Sequence, residues 1–219
     1  MSATRSQADL VARPPLQERS LKTQERILNA AEALLAKKPF EAITVAEIVR
    51  KARSSVGAFY SRFGSKEGLL TPIYERNDKR LRERMEELLE RTETQATSLA
   101  ELARFSVTTC VEIYRKNRWL MRAMGFHSRM NPEAISDELR KRRTALHRKW
   151  GQVFLKHRDE IRHPNPEAAV EFAVYFTAAT ARDKILFGDA PHASATEVSD
   201  AALIEELTRA FLTYLNANI

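Results

Sequence analysis

The sequence predicts an all-α chain. Only six of its 219 residues are glycine and no Asn-Gly hairpin signal occurs, and no segment sustains the period-two alternation of a half-buried strand. What recurs instead is helix punctuation: capping residues, first-turn acids and apolar residues at three- and four-residue spacing.

Read in order, the first helix spans about Arg19 to Lys37, with Ile27, Ala30, Ala31, Leu34 and Leu35 as one apolar stripe. Thr44 and Glu47 form a T-x-x-E capping box flanked by Ile43 and Ile48, which opens a second helix ending near Ala52. A third begins after Ser54 or Ser55 and stops at Gly64. Ser65 caps a long fourth helix from Lys66 to about Arg91, with Pro72 expected to kink it. Ser98 and Glu101 start another, ending near Asn117 and followed by the short segment RWLMRAMGFH. Asn131-Pro132-Glu133 and Asn165-Pro166-Glu167 each supply an N-cap, a proline and an acid, predicting helices over Pro132–Ile161 and Pro166–Phe187. Ser199 caps a last helix reaching Asn216, about nine in all.

Charge divides the chain. Residues 1–66 carry 12 Lys and Arg against 6 Asp and Glu, a net +6 of the overall +7. A small basic module on a near-neutral body favours an anionic partner for the first part and another task for the second. The expected boundaries are a flexible arm over residues 1–16, a basic module over 17–66 and a near-neutral body over 67–219. No apolar run approaches the roughly 18 residues of a membrane span, and the N-terminus lacks a signal-peptide stretch, so the expected location is the cytoplasm, without membrane contact. One cysteine, Cys110, excludes an internal disulfide.

The stretch RSSVGAFYSRFGSKEGLL, residues 53–70, holds the most specific signal. On a helix Phe59 and Phe63 share one face, about 40° apart, while Gly57, Ala58 and Ser61 occupy the other. The aromatics anchor and the small residues let the backbone approach a major groove closely. Tyr60 and Arg62 flank that face within reach of phosphates, and Lys66 adds a cation at the next helix start. Val56 and Ala58 offer only apolar contact to thymine methyls, whereas Ser61 and Arg62 carry hydrogen-bonding groups. Two capped short helices joined by a turn on a basic module make a helix-turn-helix pattern.

The run TVAEIVRKARSSVGAFYSRFGSKEGLL resembles the second and third helices and fourth-helix start of the TetR-type transcriptional regulators. Ser55, Gly57, Tyr60, Phe63, Ser65, Lys66, Glu67 and Leu69 stand in the expected places, and the likeness covers about residues 21–70. The resemblance implies a three-helix DNA-binding head, an all-α effector body and a homodimer acting on double-stranded DNA. By matching positions, Thr44, Tyr60 and Lys66 contact phosphates, with Val56, Gly57, Ser61 and Arg62 towards bases. Two residues depart from the pattern. Arg53 replaces the usual turn glycine, so either a left-handed arginine is tolerated or the turn has shifted, and Gly64 replaces a common proline.

The body is less diagnostic. Residues 168–181 are apolar nearly all round, and Ile204, Leu207, Phe211 and Tyr214 stripe the last helix. Val174, Ala178 and those four are the expected dimer interface, with a monomer core as the alternative. Phe105, Trp119, Met124, Phe126, His127, Trp150, Phe154 and Phe176 are the expected lining of a pocket for an apolar or aromatic small-molecule effector. His157 falls on an apolar stripe and reads more naturally as a core histidine. The histidines show no metal-ligand spacing and no cofactor is expected. No nucleophile with its base and no phosphate loop is present, so the chain does not read as an enzyme. The remaining alternative is a helical interaction module whose basic head meets an acidic protein or lipid surface.

Overall fold

The computed structural model describes residues 16–95, 98–134, 136–188 and 198–217. Among them are nine α-helices and no strand. Residues 1–15 of the expected arm lie outside the described residues.

The N-terminal part is a three-helix unit: α1 (Leu16–Leu35), α2 (Val45–Ala52) and α3 (Val56–Phe63). A 3-10 turn, Glu67–Leu69, leads into α4 (Leu70–Gln95). The remainder is α5 (Leu99–Lys116), α6 (Arg118–Met130), α7 (Asp137–Leu155), α8 (Pro166–Phe187) and α9 (Asp200–Leu215). Several starts follow from local chemistry. The side chains of Ser55, Ser98, Asn165 and Ser199 accept the backbone N–H three residues on, at 3.1, 3.3, 3.1 and 3.2 Å, which satisfies donors that the helix leaves open.

Two expectations fail. The fourth helix begins at Leu70 and not at Lys66, behind the 3-10 turn, so Pro72 sits in its first turn, where a missing N–H breaks no intrahelical bond. Asn131-Pro132-Glu133 opens only a 3-10 turn, Pro132–Ala134. The helix starts instead at Asp137, and ends at Leu155 rather than Ile161.

Three apolar clusters hold the chain together. The head cluster joins Ile27, Leu28 and Leu35 of α1, Ile48 and Val49 of α2 and Phe59 of α3 to Leu69 and Ile73. Leu120, Ala123 and Met124 of α6 complete it, so a helix far away in sequence closes the head core. A second cluster packs Leu88 and Leu89 of α4 with Trp150, Phe154, Val170 and Phe211; a third joins Val107 and Val111 of α5 to Ile185 of α8 and Leu203 and Leu207 of α9. Ala169, Ala173, Thr177 and Ala181 repeat at four-residue spacing on the buried side of α8, and these small residues let α5, α7 and α9 close around it.

Between head and body, α4 is tied to α1 by Arg76, which bonds Asn29 at 2.7 Å and pairs with Glu25 at 3.2 Å, and by Arg80 with Glu32 at 3.0 Å. Thr71 Oγ1 and His127 Nε2 stand 3.2 Å apart and join the start of α4 to α6.

Candidate nucleic-acid interface and body cavity

The helix-turn-helix unit is built from α2, a three-residue turn and α3. Thr44 and Glu47 close a reciprocal capping box: the Thr44 hydroxyl accepts Glu47 N–H at 3.2 Å, and the Glu47 carboxylate accepts Thr44 N–H at 2.9 Å. Lys38 donates to the same carboxylate at 2.7 Å. These bonds, the Lys38 ammonium first and the Thr44 amide next, hold the Glu47 pKa down at about 2 against an ordinary 4.5. A depressed carboxylate stabilises the fold above its ordinary pKa and loses that contribution as pH falls towards the folded value. The melting temperature therefore declines between about pH 4.5 and 2, and Glu47→Gln flattens that part of the curve measured by circular dichroism.

The turn has not shifted. Arg53 takes the left-handed conformation (φ 49°, ψ 51°) at the end of α2. Its N–H reaches Arg50 O at 3.2 Å and Ser54 N–H reaches Val49 O at 2.9 Å, the paired bonds of a Schellman ending. An arginine there costs about 1 kcal/mol against glycine. Gly64 at the end of α3 has φ 69°, beyond the reach of proline, and its N–H donates to Tyr60 O at 2.9 Å.

On α3, Phe59 is fully buried and packs edge-on to Tyr60 and tilted to Phe63, both at 5.4 Å. Val56, Gly57, Tyr60 and Ser61 are exposed and Ala58 is half-buried. Thr44 and Ser55 are exposed, with their hydroxyls engaged in capping. Arg62 departs from the expected outward pose. It folds back to donate Nη1 to Ala58 O at 2.8 Å and Nη2 to Ser20 Oγ at 3.2 Å, binding α3 to α1. Lys66 sits 4.4 Å over the Phe40 ring and donates to Phe40 O and Ile43 O, both at 3.2 Å. Two of its three N–H groups thus hold the loop before α2. Exposed cations that sequence reasoning passed over, Arg50, Lys51 and Arg53, lie at the end of α2.

Gly57 is the telling position. A methyl built there meets no atom within 4 Å, so the fold itself has no need of glycine at a place where it costs a helix roughly 1 kcal/mol. Gly57→Ala should raise stability by about 0.5 kcal/mol or more, while Gly57→Leu should lower duplex affinity more than about tenfold. Chemical denaturation and fluorescence anisotropy on labelled DNA check the two halves.

Residues 27–72 match the family model of bacterial regulatory proteins, tetR family. The head is thus similar in sequence to the DNA-binding segment of that family. No curated protein matches the chain. Solved structures extend the likeness to the whole fold. A protein of Mesorhizobium loti assigned to the TetR family superposes with a TM-score of 0.64 at 16% identity, over 90% of this chain and 96% of that one. FadR of Bacillus subtilis, solved with stearoyl-CoA, gives 0.53 at 17% identity over 90% and 99%. RolR, solved with resorcinol, gives 0.54 at 16% identity over 91% and 90%. At such identities the likeness is one of fold.

Behind the head, the body holds a cavity of about 220 Å³ between α4, α5, α6, α7, α8 and α9. Its lining overlaps the expected pocket only at Trp150 and Phe154. The other expected lining residues stand elsewhere. Met124 is buried in the head cluster, so a larger side chain at Ala123 or Met124 would overpack the head instead of filling the cavity. His127 bonds Thr71, Trp119 lies under Arg118 at 4.6 Å, and Phe126 packs edge-on to Phe187 at 5.4 Å while half exposed. Phe105 and Phe176 are partly exposed. His157 also lies outside, 3.0 Å from Glu160. The residues that do line the space include Asp78 and Arg82 of α4, Ser106 and Cys110 of α5, and Thr177 of α8. Burial pushes the Cys110 thiol up to about 12, partly opposed by Arg182, so it is a neutral wall atom.

The expected dimer residues divide as well. Leu207 and Phe211 are buried in the chain's own core, and Val174, Ala178 and Phe211 face the cavity. Ile204 and Tyr214 are half-buried. The exposed apolar surface lies one step around α8, at Phe172, Tyr175 and Phe176. Phe172 stands 6.5 Å from Phe176 and 5.2 Å from Tyr214, joining α8 to α9 in one aromatic patch.

Proposed function

We propose that the chain is a ligand-responsive repressor that binds a palindromic operator as a homodimer and is released by a small apolar or aromatic effector. The observation that carries this reading is the outer face of α3. It is a capped helix presenting a glycine with open space above it, flanked by exposed Val56, Tyr60 and Ser61. Such a face admits the backbone to a major groove. One head reads few bases, and a two-fold pair reads a palindrome; the aromatic patch on α8 and α9 supplies a surface for that pairing. The body cavity, and the small molecules held by FadR and RolR, support an effector site.

In this reading residues 17–66 are the DNA-binding head and residues 67–219 the body for ligand and partner. An effector acts by preferring a dimer geometry whose recognition helices no longer meet successive major grooves, about 34–36 Å apart. Both α4 and α6 connect the two regions: α4 carries cavity residues Asp78 and Arg82 beside head-contacting Arg76 and Arg80, and α6 contributes Met121 to the cavity and Met124 to the head core.

Duplex binding by the full chain tests this. The dissociation constant should rise steeply with salt, as counterion release demands, and Tyr60→Phe should weaken all duplexes alike because a phosphate contact carries no sequence information. Affinity independent of salt, or equal affinity for acidic lipid vesicles, would refute a DNA reader.

A further inference from the structure

Three residues that line the body cavity each carry a buried side-chain atom without a hydrogen-bond partner: Ser106 Oγ on α5, Trp150 Nε1 on α7 and Thr177 Oγ1 on α8. Trp150 and Thr177 are only 6% and 5% exposed. A buried donor or hydroxyl left unpaired is destabilising, and native interiors rarely keep one without a use. Here three helices each bring one to the same space. The rest of the wall is largely apolar, with Met85, Ile113 and Phe154 among its members.

From this convergence we infer that the cavity binds a small, uncharged ring compound bearing two or three oxygen functions, a phenol or hydroxylated aromatic alcohol. The inference rests on the reading of the body as an effector site and names the chemistry of its ligand. Size sets the first limit. About 220 Å³ exceeds the ~150 Å³ cavity that takes benzene and falls below the ~300–1,000 Å³ of sites for drug-sized molecules. One substituted ring fits that interval. Polarity sets the second. The indole N–H of Trp150 only donates and so requires an acceptor oxygen, while the Ser106 and Thr177 hydroxyls can each donate or accept. A bare hydrocarbon would leave all three unpaired.

Charge sets the third limit. The ionisable groups of the wall are Asp78 and Arg82 of α4, joined at 3.2 Å with the Asp78 side chain buried, together with Cys110 and Tyr114 of α5 and His147 of α7, the last two engaged in interactions of their own. A ligand carboxylate would lie against the Asp78 carboxylate, and a ligand cation would find that carboxylate already engaged by Arg82. The thiol of Cys110 is held neutral by burial. A neutral ligand leaves this balance intact.

The test uses the full chain with Trp119→Phe as reference. Trp119 lies outside the cavity, and its removal leaves Trp150 as the sole indole of the two in the sequence. Hydroquinone, vanillyl alcohol, toluene and benzoate are titrated at millimolar concentration, without DNA, following Trp150 fluorescence and melting temperature. The two neutral phenols should shift the fluorescence and raise the melting temperature, with toluene and benzoate at least about tenfold weaker. Thr177→Val and Ser106→Ala should each weaken phenol binding by roughly threefold to tenfold and leave toluene unchanged. Thr177→Val should melt no lower than the reference, which shows that lost binding is not lost folding.

Equal binding of toluene and the phenols, tighter binding of benzoate, unchanged phenol affinity in both variants, or no response to any probe each overturns the inference. Operator binding is measured separately with and without the phenols. Phenols that bind with this pattern yet leave operator affinity unchanged refute the switching model while the ligand chemistry stands.

Discussion

Phe172→Glu and Tyr175→Glu should each yield a folded monomer whose operator affinity is lower by more than about a hundredfold, or about 2.7 kcal/mol. The two rings are 51% and 64% exposed on α8, and Phe172 meets both Phe176 and, on α9, Tyr214. Contiguous exposed aromatic surface of this kind marks a contact between molecules, and a carboxylate at its centre would be buried unpaired on pairing. The side chains point away from the core, so the isolated chain keeps its packing. Sedimentation velocity combined with circular dichroism distinguishes this outcome from unfolding. The contrasting variant is Leu207→Glu, which places the charge inside the chain's own core and should unfold the body. A dimer that survives both α8 changes would move the interface elsewhere.

Gly68→Ala should destabilise the head by about 3 kcal/mol or more and abolish operator binding with it. A Cβ at Gly68 would lie 1.9 Å from the Phe63 carbonyl oxygen and 3.0 Å from its carbon. Both obstacles are backbone, so relief requires moving the 3-10 turn away from the end of α3. That joint sets how the recognition helix is seated against α4. Thermal melts of the variant should show the loss directly, and an unchanged melting temperature would show that the joint has slack. Gly57→Ala is the internal control, since it adds the same methyl to the same unit where nothing stands in its way.

What the sequence made legible was local. Thr44 and Glu47 lie three residues apart and satisfy each other regardless of the rest of the chain, so the start of α2 could be read without a structure. Asn165 with Pro166 worked for the same reason. Asn131 with Pro132 carries the same signal and opens only a single turn, because a second start follows at once: Ser136 precedes Asp137 and Glu138, and its carbonyl accepts Arg140 N–H at 3.1 Å. The buried Phe59 and exposed Gly57 were visible in the angular spacing of one short helix. The folded-back pose of Arg62 was not, since its partner Ser20 is 42 residues away.

The cavity was the least legible part. Bulky aromatics drew attention, yet Phe126 had a partner in Phe187 and Met124 had a place in the head core. The residues that distinguish the space include Ser106, Thr177 and Asp78, which the sequence does not single out, Thr177 lying within a segment that reads as apolar nearly all round. Which helices converge is a long-range property, and three hydroxyl or carboxylate side chains gain chemical meaning only once that convergence brings them to one space.

The contribution of α6 to the head core bears on how such proteins are recombined. Leu120, Ala123 and Met124 close the cluster that begins with Ile27, so the exchangeable unit is discontinuous in the gene. A chimera cut at Leu70 would separate the reading helices from the residues that finish their core, and would have to find a replacement in the foreign body. Grafts that carry α6 along with the first three helices, or that borrow a recipient with matching side chains at those three positions, are the ones expected to survive. Shuffling at this junction is therefore limited by complementarity between two distant stretches of chain, and drift at positions 120, 123 and 124 must keep step with drift in the head.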